Sequence, residues 1–355
     1  MINVVRRAAV SAAVAFSTHA LAPCAGAAIP DYRLVGSYAL PSSGGGSFVA
    51  AWDVAPDGRV LAMLGNTIWL QSSVNSSVFS VAGSIAPDQV SSFGPSFIRV
   101  SPGGGTLAIG DGEFGAPGFA QVHFVSTASL DPGSPSPVHS VSSFNYDAVF
   151  LDDSTLFVSG ADFAGTGVSR VDIPSLTAST VVSNIGGASG GVSIAGGFLF
   201  TSNGFDFVPG GSQTGEVRAA PLADVTSGSP VDFEAEMIPV ADALSAASIR
   251  FDPHGNMLVG GGEYGNPFEF GFAAVVDGDA VAAALIGGPI APDSAELHLS
   301  PAGTDPFYSV NFNSFTNELL ISDGFTVYRY VVPAPGTAAM LIAFAVSTSR
   351  RSRRA

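Results

Sequence analysis

The chain has 355 residues, 12% of them charged, with 29 acids against 13 basic residues, and every basic residue is arginine. A net charge of −16 leaves no basic patch to neutralise phosphates, which excludes a nucleic-acid partner. Global disorder is excluded by 46% hydrophobic residues, and the 43 Gly and 24 Pro scattered between short apolar runs argue against a helical protein.

In chain order, residues 1–28 read as a cleaved secretory signal. Arg6 and Arg7 form the basic start, Ala8 to Ala22 is moderately apolar, and Ala25-Gly26-Ala27-Ala28 offers a cleavage site. The apolar stretch is too short for a permanent span. Cys24 is the only cysteine and lies inside this segment, where Leu21-Ala22-Pro23-Cys24 matches a lipoprotein box only loosely. The body, 29–331, then has no thiol and so no disulfide or cysteine metal site. All 29 acids and only 7 arginines fall in it, leaving it at −22, a surface suited to solubility and to repelling polyanions.

The body reads as short strands separated by Gly, Pro, Asp and Ser turns. Tyr32–Leu40 is a first strand left over from the pattern that follows. Six units come next. The clearest pair is Ile98-Arg99-Val100-Ser101-Pro102 with Gly110-Asp111-Gly112-Glu113-Phe114, and Ile249-Arg250-Phe251-Asp252-Pro253 with Gly260-Gly261-Gly262-Glu263-Tyr264. Their offset is too long for one repeat and suits three of about 50 residues. Weaker copies begin at Trp52, Ala148, Val192 and Tyr308. Each unit runs strand, Pro/Asp/Gly turn, strand, Gly-rich loop, then one or two more strands. A four-stranded sheet cannot bury both faces alone, whereas radial packing of several buries nearly all of them. The expected fold is therefore an all-β propeller, six blades of about four antiparallel strands with seven as the alternative. Pairing Tyr32–Leu40 with Val327–Val331 would seal the ring and remove two edges. The unit pattern resembles NHL- and YVTN-type propeller repeats.

The C-terminal segment, 332–355, has three parts: Val332-Pro333-Ala334-Pro335-Gly336, the apolar run Ala338–Val346, and a cationic end with Arg350, Arg351, Arg353 and Arg354. A helix breaker, a greasy segment and a positive stop make a membrane anchor whose arginines stay cytoplasmic. The run is shorter than the roughly 20 residues of a stable span, so the anchor is transient. This order of parts resembles the PEP-CTERM sorting signal, with Pro333 and Pro335 on the motif prolines and Ala334 where the family has glutamate. The resemblance implies secretion across the inner membrane, processing by an exosortase, and a cell-surface or extracellular-matrix address.

Candidate site residues follow the second strand of each unit: Asn66, Glu113, Asp162, Asp206, Glu263 and Asp323, with Phe114, Phe163, Phe205, Tyr264 and Phe325 as aromatic neighbours. On one face of a propeller they would form an acidic, aromatic rim for Ca²⁺, which takes oxygen ligands, or for sugars, which stack on rings. The plainer reading is that the acids and amides make turns while the rings pack between blades. Arg99 and Arg250 are expected to pair with Glu113 and Glu263 of their own units. Gly187-Ala188-Ser189-Gly190-Gly191 formally fits a nucleophile elbow but lacks strand-to-helix context. The histidines show no zinc spacing. Asp277-Gly278-Asp279 reads as a hairpin turn. No catalytic constellation is present. Binding or adhesion to a polysaccharide or protein is the leading expectation, and a calcium-dependent, lactonase-like propeller hydrolase with a metal in the central channel is the alternative.

Overall fold

The structure is a computed structural model that describes residues 31–42, 48–113, 120–160, 166–186, 188–205, 215–243, 246–262, 271–291, 296–299 and 308–331. It is a six-bladed β-propeller. Blade 1 comprises Trp52–Val54, Val60–Leu64, Thr67–Gln71 and Phe79–Ser84. Blade 2 comprises Ile98–Val100, Thr106–Gly110, Gln121–Ser126 and His139–Ser142. Blade 3 comprises Asp147–Asp152, Thr155–Ser159, Val168–Asp172 and Thr177–Ser183. Blade 4 comprises Ala188–Ala195, Phe198–Phe205, Glu216–Pro221 and Ile238–Asp242. Blade 5 comprises Ala246–Phe251, Met257–Gly262, Gly271–Val276 and Glu296–His298. Blade 6 comprises Ser309–Asn313, Glu318–Ser322, Thr326–Val331 and, from the other end of the body, Arg33–Ala39.

That last strand seals the ring as the sequence implies. It runs antiparallel to Thr326–Val331, with Arg33 opposite Val331 and Ala39 opposite Thr326. Across the seam, the Trp52 indole N–H of blade 1 donates to Ser309 Oγ of blade 6 at 2.7 Å. Each first strand lies beside the first strands of both neighbouring blades, all the way round, so the first strands line the centre.

The oily residues are divided into one cluster between each adjacent pair of blades. Phe157, Val192 and Leu199 join blades 3 and 4, for example, and Phe200, Ile249 and Met257 join blades 4 and 5. The other four clusters repeat this around the ring. Burying a large apolar side chain in such a layer stabilises by roughly 1.5–3 kcal/mol. No blade has these contacts without its neighbours.

Outside the blades, some third-to-fourth-strand connections reach back to the preceding blade. Val231–Asp232 adds a parallel fifth strand to blade 3, while Ser136 N–H and Ala291 N–H donate to the carbonyls of Ser84 and Val240. The expected hairpin turn at Asp277-Gly278-Asp279 is instead the start of a helix, Gly278–Leu285. Asp277 caps it by accepting from the backbone N–H groups of Asp279 and Ala280.

The direction of the first strands fixes two faces. The turns after first and third strands lie on one, here the turn face. The loops after second strands and the blade-to-blade connections lie on the other, the loop face.

Candidate functional site

The first strands of blades 1, 2, 5 and 6 carry Asp53, Arg99, Arg250 and Asn311 at equivalent positions. Blades 2 and 5 are opposite one another in a six-membered ring, so the two arginines approach from opposite sides. They meet at Asp147, the first residue of blade 3. Arg99 donates to one Asp147 carboxylate oxygen, and Arg250 Nη1 reaches the other at 3.2 Å.

The remaining hydrogen-bonding capacity is used to tie in the rest of the ring. Arg99 also donates to the carbonyls of Trp52 and Ala148 at 2.9 Å each, and Arg250 to those of Val192 and Ile249. Asp147 accepts the Val192 N–H from blade 4. Asp53 accepts the Val100 N–H at 2.8 Å and the Asn311 amide at 2.7 Å. All six blades therefore contribute at least one group to a single buried polar network.

The charges balance: two arginines, two aspartates. Burial penalises the charged form of Asp147, but Arg250 and Arg99 overcome it and hold the carboxyl below its ordinary range. Burial, then repulsion from Arg250, lowers Arg99. Burial also opposes the charge on Arg250, yet Asp147 raises it above the usual value. Such a network is costly to break from one side, because removing one partner strands a buried charge.

This corrects the expected pairing of Arg99 with Glu113. Glu113 is exposed at the loop-face end of blade 2, and Glu263 lies outside the described residues. An arginine at mid-strand faces the ring centre, where Asp147 offers a buried carboxylate.

The candidate rim residues have separate settings. Asn66, in the two-residue turn of blade 1, donates its amide to the Ile85 carbonyl at 2.8 Å. Asp323 accepts from the N–H groups of Phe325 and Thr326 through one oxygen and from the Tyr328 hydroxyl through the other. It organises the second turn of blade 6. Phe325 stands edge-on to Phe48, ring centroids 5.9 Å apart, and both are partly exposed on the loop face. Phe114, Asp162, Phe163, Asp206 and Tyr264 lie outside the described residues, as does the side chain of Phe205.

A calcium site is not supported by the groups in view. The carboxylates of Asp53 and Asp147 are engaged by Asn311 and the arginines, and those of Asp323 by its own turn. Among the described residues no three His, Cys, Asp or Glu side chains group as metal ligands. Gly190 and Gly191 of the Gly-x-Ser-x-Gly pattern have a packing role on the inner strand of blade 4. A Cβ on Gly190 would come within 2.2 Å of the Ala246 carbonyl oxygen, so glycine lets blades 4 and 5 approach closely.

A second polar cluster lies at the loop-face side of blade 2. His123, buried, shares a 2.7 Å hydrogen bond between Nδ1 and Ser140 Oγ, its cross-strand neighbour. Its Nε2 is buried without a hydrogen-bond partner among the described residues. Asp111 accepts the Glu113 and Gln121 N–H groups and the Asn145 amide. Burial raises Asp111 despite those bonds and lowers His123 despite the nearby carboxylate.

Asp147, Asp53 and Asn311 were not singled out by the sequence patterns. The equivalence of Trp52-Asp53-Val54, Ile98-Arg99-Val100, Ile249-Arg250-Phe251 and Val310-Asn311-Phe312 is the signal that could have found two of them. Asp147 falls outside that register.

No protein-family model matches the chain, and no curated protein matches it in sequence. In three dimensions it is similar to a gluconolactonase from Xanthomonas campestris, TM-score 0.54 at 12% identity, over 88% of this chain and 99% of that one. It is equally similar to a Trichoderma reesei carbohydrate-active enzyme of family AA12, TM-score 0.54 at 11% identity, over 85% and 96%. At these identities the likeness shows the propeller fold and nothing finer.

Proposed function

We propose that this chain is a secreted binding propeller, held at the cell surface or released into the extracellular matrix, that recognises a polysaccharide or surface protein through its loop face. The observation that carries this reading is the closed Arg99–Asp147–Arg250 network with Asp53 and Asn311. It commits the polar side chains at the centre of the ring to holding the blades together, so recognition falls to the loops. The address rests on the N-terminal signal and on the tail, whose Pro333, Pro335, apolar run and arginines fit anchoring followed by exosortase processing.

The test is calorimetric titration of the secreted protein with extracellular polysaccharide from the producing cells, with calcium and with chelator. Saturable binding unaffected by chelator supports the reading. No binding, together with calcium-dependent hydrolysis of a lactone, overturns it in favour of the hydrolase. Mass analysis of the mature protein tests the address: a chain that begins before Ala25, or that retains its arginine end at the surface, contradicts the processing proposed.

A further inference from the structure

Three of the third-to-fourth-strand connections lay a short parallel pairing on the fourth strand of the preceding blade. Pro135 pairs with Ser84 of blade 1, Val231–Asp232 with Val182 and Ser183 of blade 3, and Ala291 with Ala241 of blade 4. Each pairing falls late in its connection. From Ser126, where the third strand of blade 2 ends, to Pro135 is nine residues, and the other two intervals are longer. From the pairing to the next fourth strand is short: Ser136 to His139, Asp232 to Ile238, Ala291 to Glu296. On that short path the chain enters the layer shared with the preceding blade, through Val138 in blade 2 and Met237 in blade 4. In two of the three, the N–H donated backward belongs to a residue that proline follows. Ser136, before Pro137, donates to the Ser84 carbonyl at 2.7 Å, and Ala291, before Pro292, to that of Val240 at 2.8 Å. Proline holds the residue before it extended and, lacking an N–H, stops the pairing there.

Blade 6 has the two ends of the body where the other blades have this connection: its third strand stops at Val331 and its fourth starts at Arg33. Tyr32, immediately before Arg33, takes the place of Val138 and Met237. It is buried in the layer between blades 5 and 6, and its hydroxyl donates to Asp252 of blade 5 at 2.6 Å. Before it in the sequence stands Ile29-Pro30-Asp31, which repeats the apolar-Pro-Asp order of Ala291-Pro292-Asp293. Ile29 is four residues from Arg33, between the three of Ser136 and the five of Ala291. The edge such a segment would meet is open among the described residues, since Glu296–His298 pairs only with the third strand of blade 5. The Leu299 N–H donates inward to the Ala273 carbonyl at 2.8 Å, so by alternation Glu296 and His298 turn their backbone groups outward.

We propose that Ile29 docks on the outer edge of blade 5, donating from its backbone nitrogen to a carbonyl of Glu296–His298, with Pro30 ending the pairing. The occupant is this segment and not the tail, because in all three precedents the pairing lies nearer the fourth strand than the third. The bond needs only a donor on the Ile29 nitrogen, which a chain cleaved after Ala28 keeps as an ammonium group. The inference therefore stands apart from the processing proposed above. Docking adds an outer tie between blades 5 and 6, the blade that contains the seam. It also closes an open edge that would otherwise accept a strand from another chain.

The experiment uses the full chain with Cys24→Ser and Ile29→Cys, the new thiol carrying a short benzophenone label. After irradiation, the crosslinked peptides are mapped by mass spectrometry. The expected result is a principal crosslink within residues 296–299, several-fold above that to any other outer strand, including the uncovered His139–Ser142 of blade 2. A parallel chain with Cys24→Ser and Ala334→Cys, labelled in the same way on the tail, should show no preference for 296–299. Crosslinks from position 29 that fall mainly elsewhere, that join two chains, or that do not form overturn the docking. A preference of position 334 for residues 296–299 gives the edge to the tail and overturns it as well. Mass analysis of the same samples shows whether the leader has been removed, so a failure of processing is read separately from a failure to dock.

Discussion

The centre of the ring and the layers between its blades are both buried, but they are built differently. Between blades the contacts are apolar and generic, six clusters of the same kind in which one aliphatic side chain does much the work of another. At the centre the contacts are ionic, unsymmetrical and particular: two arginines from opposite blades share one carboxylate. The layers tolerate substitution by volume, whereas the centre requires charge balance. A propeller that uses its axis in this way has only its faces left for recognition.

The comparison breaks most severely if the ring itself is opened. Deleting 31–40 removes the closing strand and exposes the edge of Thr326–Val331, so the cooperative melt followed by circular dichroism should be lost, not merely shifted. Retention of a sharp transition near the parent temperature would mean that the seam contributes little.

Next in size is the contrast between the two regions under near-isosteric change. Asp147→Asn, which keeps the shape and removes the charge, should cost several times more in urea denaturation than Leu156→Met in the layer between blades 2 and 3, expected at about 1 kcal/mol or less. Similar losses at both positions would erase the distinction. A smaller effect is expected at the seam, where Ser309→Ala removes the acceptor of the Trp52 indole and should cost about 1 kcal/mol.

The smallest effect is a pH dependence. Because burial lowers His123, the native protein favours the neutral ring. The stability this contributes is present above the unfolded value of about 6.5 and is lost as pH falls from there towards the lower folded value. The facing Asp111 is raised and has the opposite sign, gaining stability as it protonates at lower pH. His123→Gln should flatten the fall in melting temperature just below neutral pH, while Asp147, held low, contributes its loss only in strong acid. An unchanged profile in the variant would show that His123 is not the group responsible.

Much of the architecture was legible because repetition and burial leave a pattern. The Ile-Arg-x-x-Pro copies three units apart implied blades of about 50 residues, and the structure places them in blades 2 and 5. The leftover strand at Tyr32–Leu40 announced the closure. Pairing across the axis was not legible: an offset of three blades does not say that two side chains meet, and Asp147 sits outside the repeated register. Sequence also reads Asp277 as a turn residue, since a capping aspartate and a hairpin aspartate look alike before the alanine-rich helix that follows is packed against Val240 and its neighbours. Among the rim residues, Asp323 satisfies its own turn, which the local Asp-Gly pattern alone could not separate from a ligand.

The central claim is that the axis is a structural clasp and not a ligand site. Its most direct test compares Asp147→Ala with Arg99→Met/Asp147→Leu/Arg250→Met by urea denaturation and polysaccharide titration. The single variant strands two buried cations and should lose about 3–5 kcal/mol. The triple variant, with no charge left to strand among these three residues, should return to within about 2 kcal/mol of the parent and bind as the parent does. A triple variant that is as stable as the parent but no longer binds would contradict the claim.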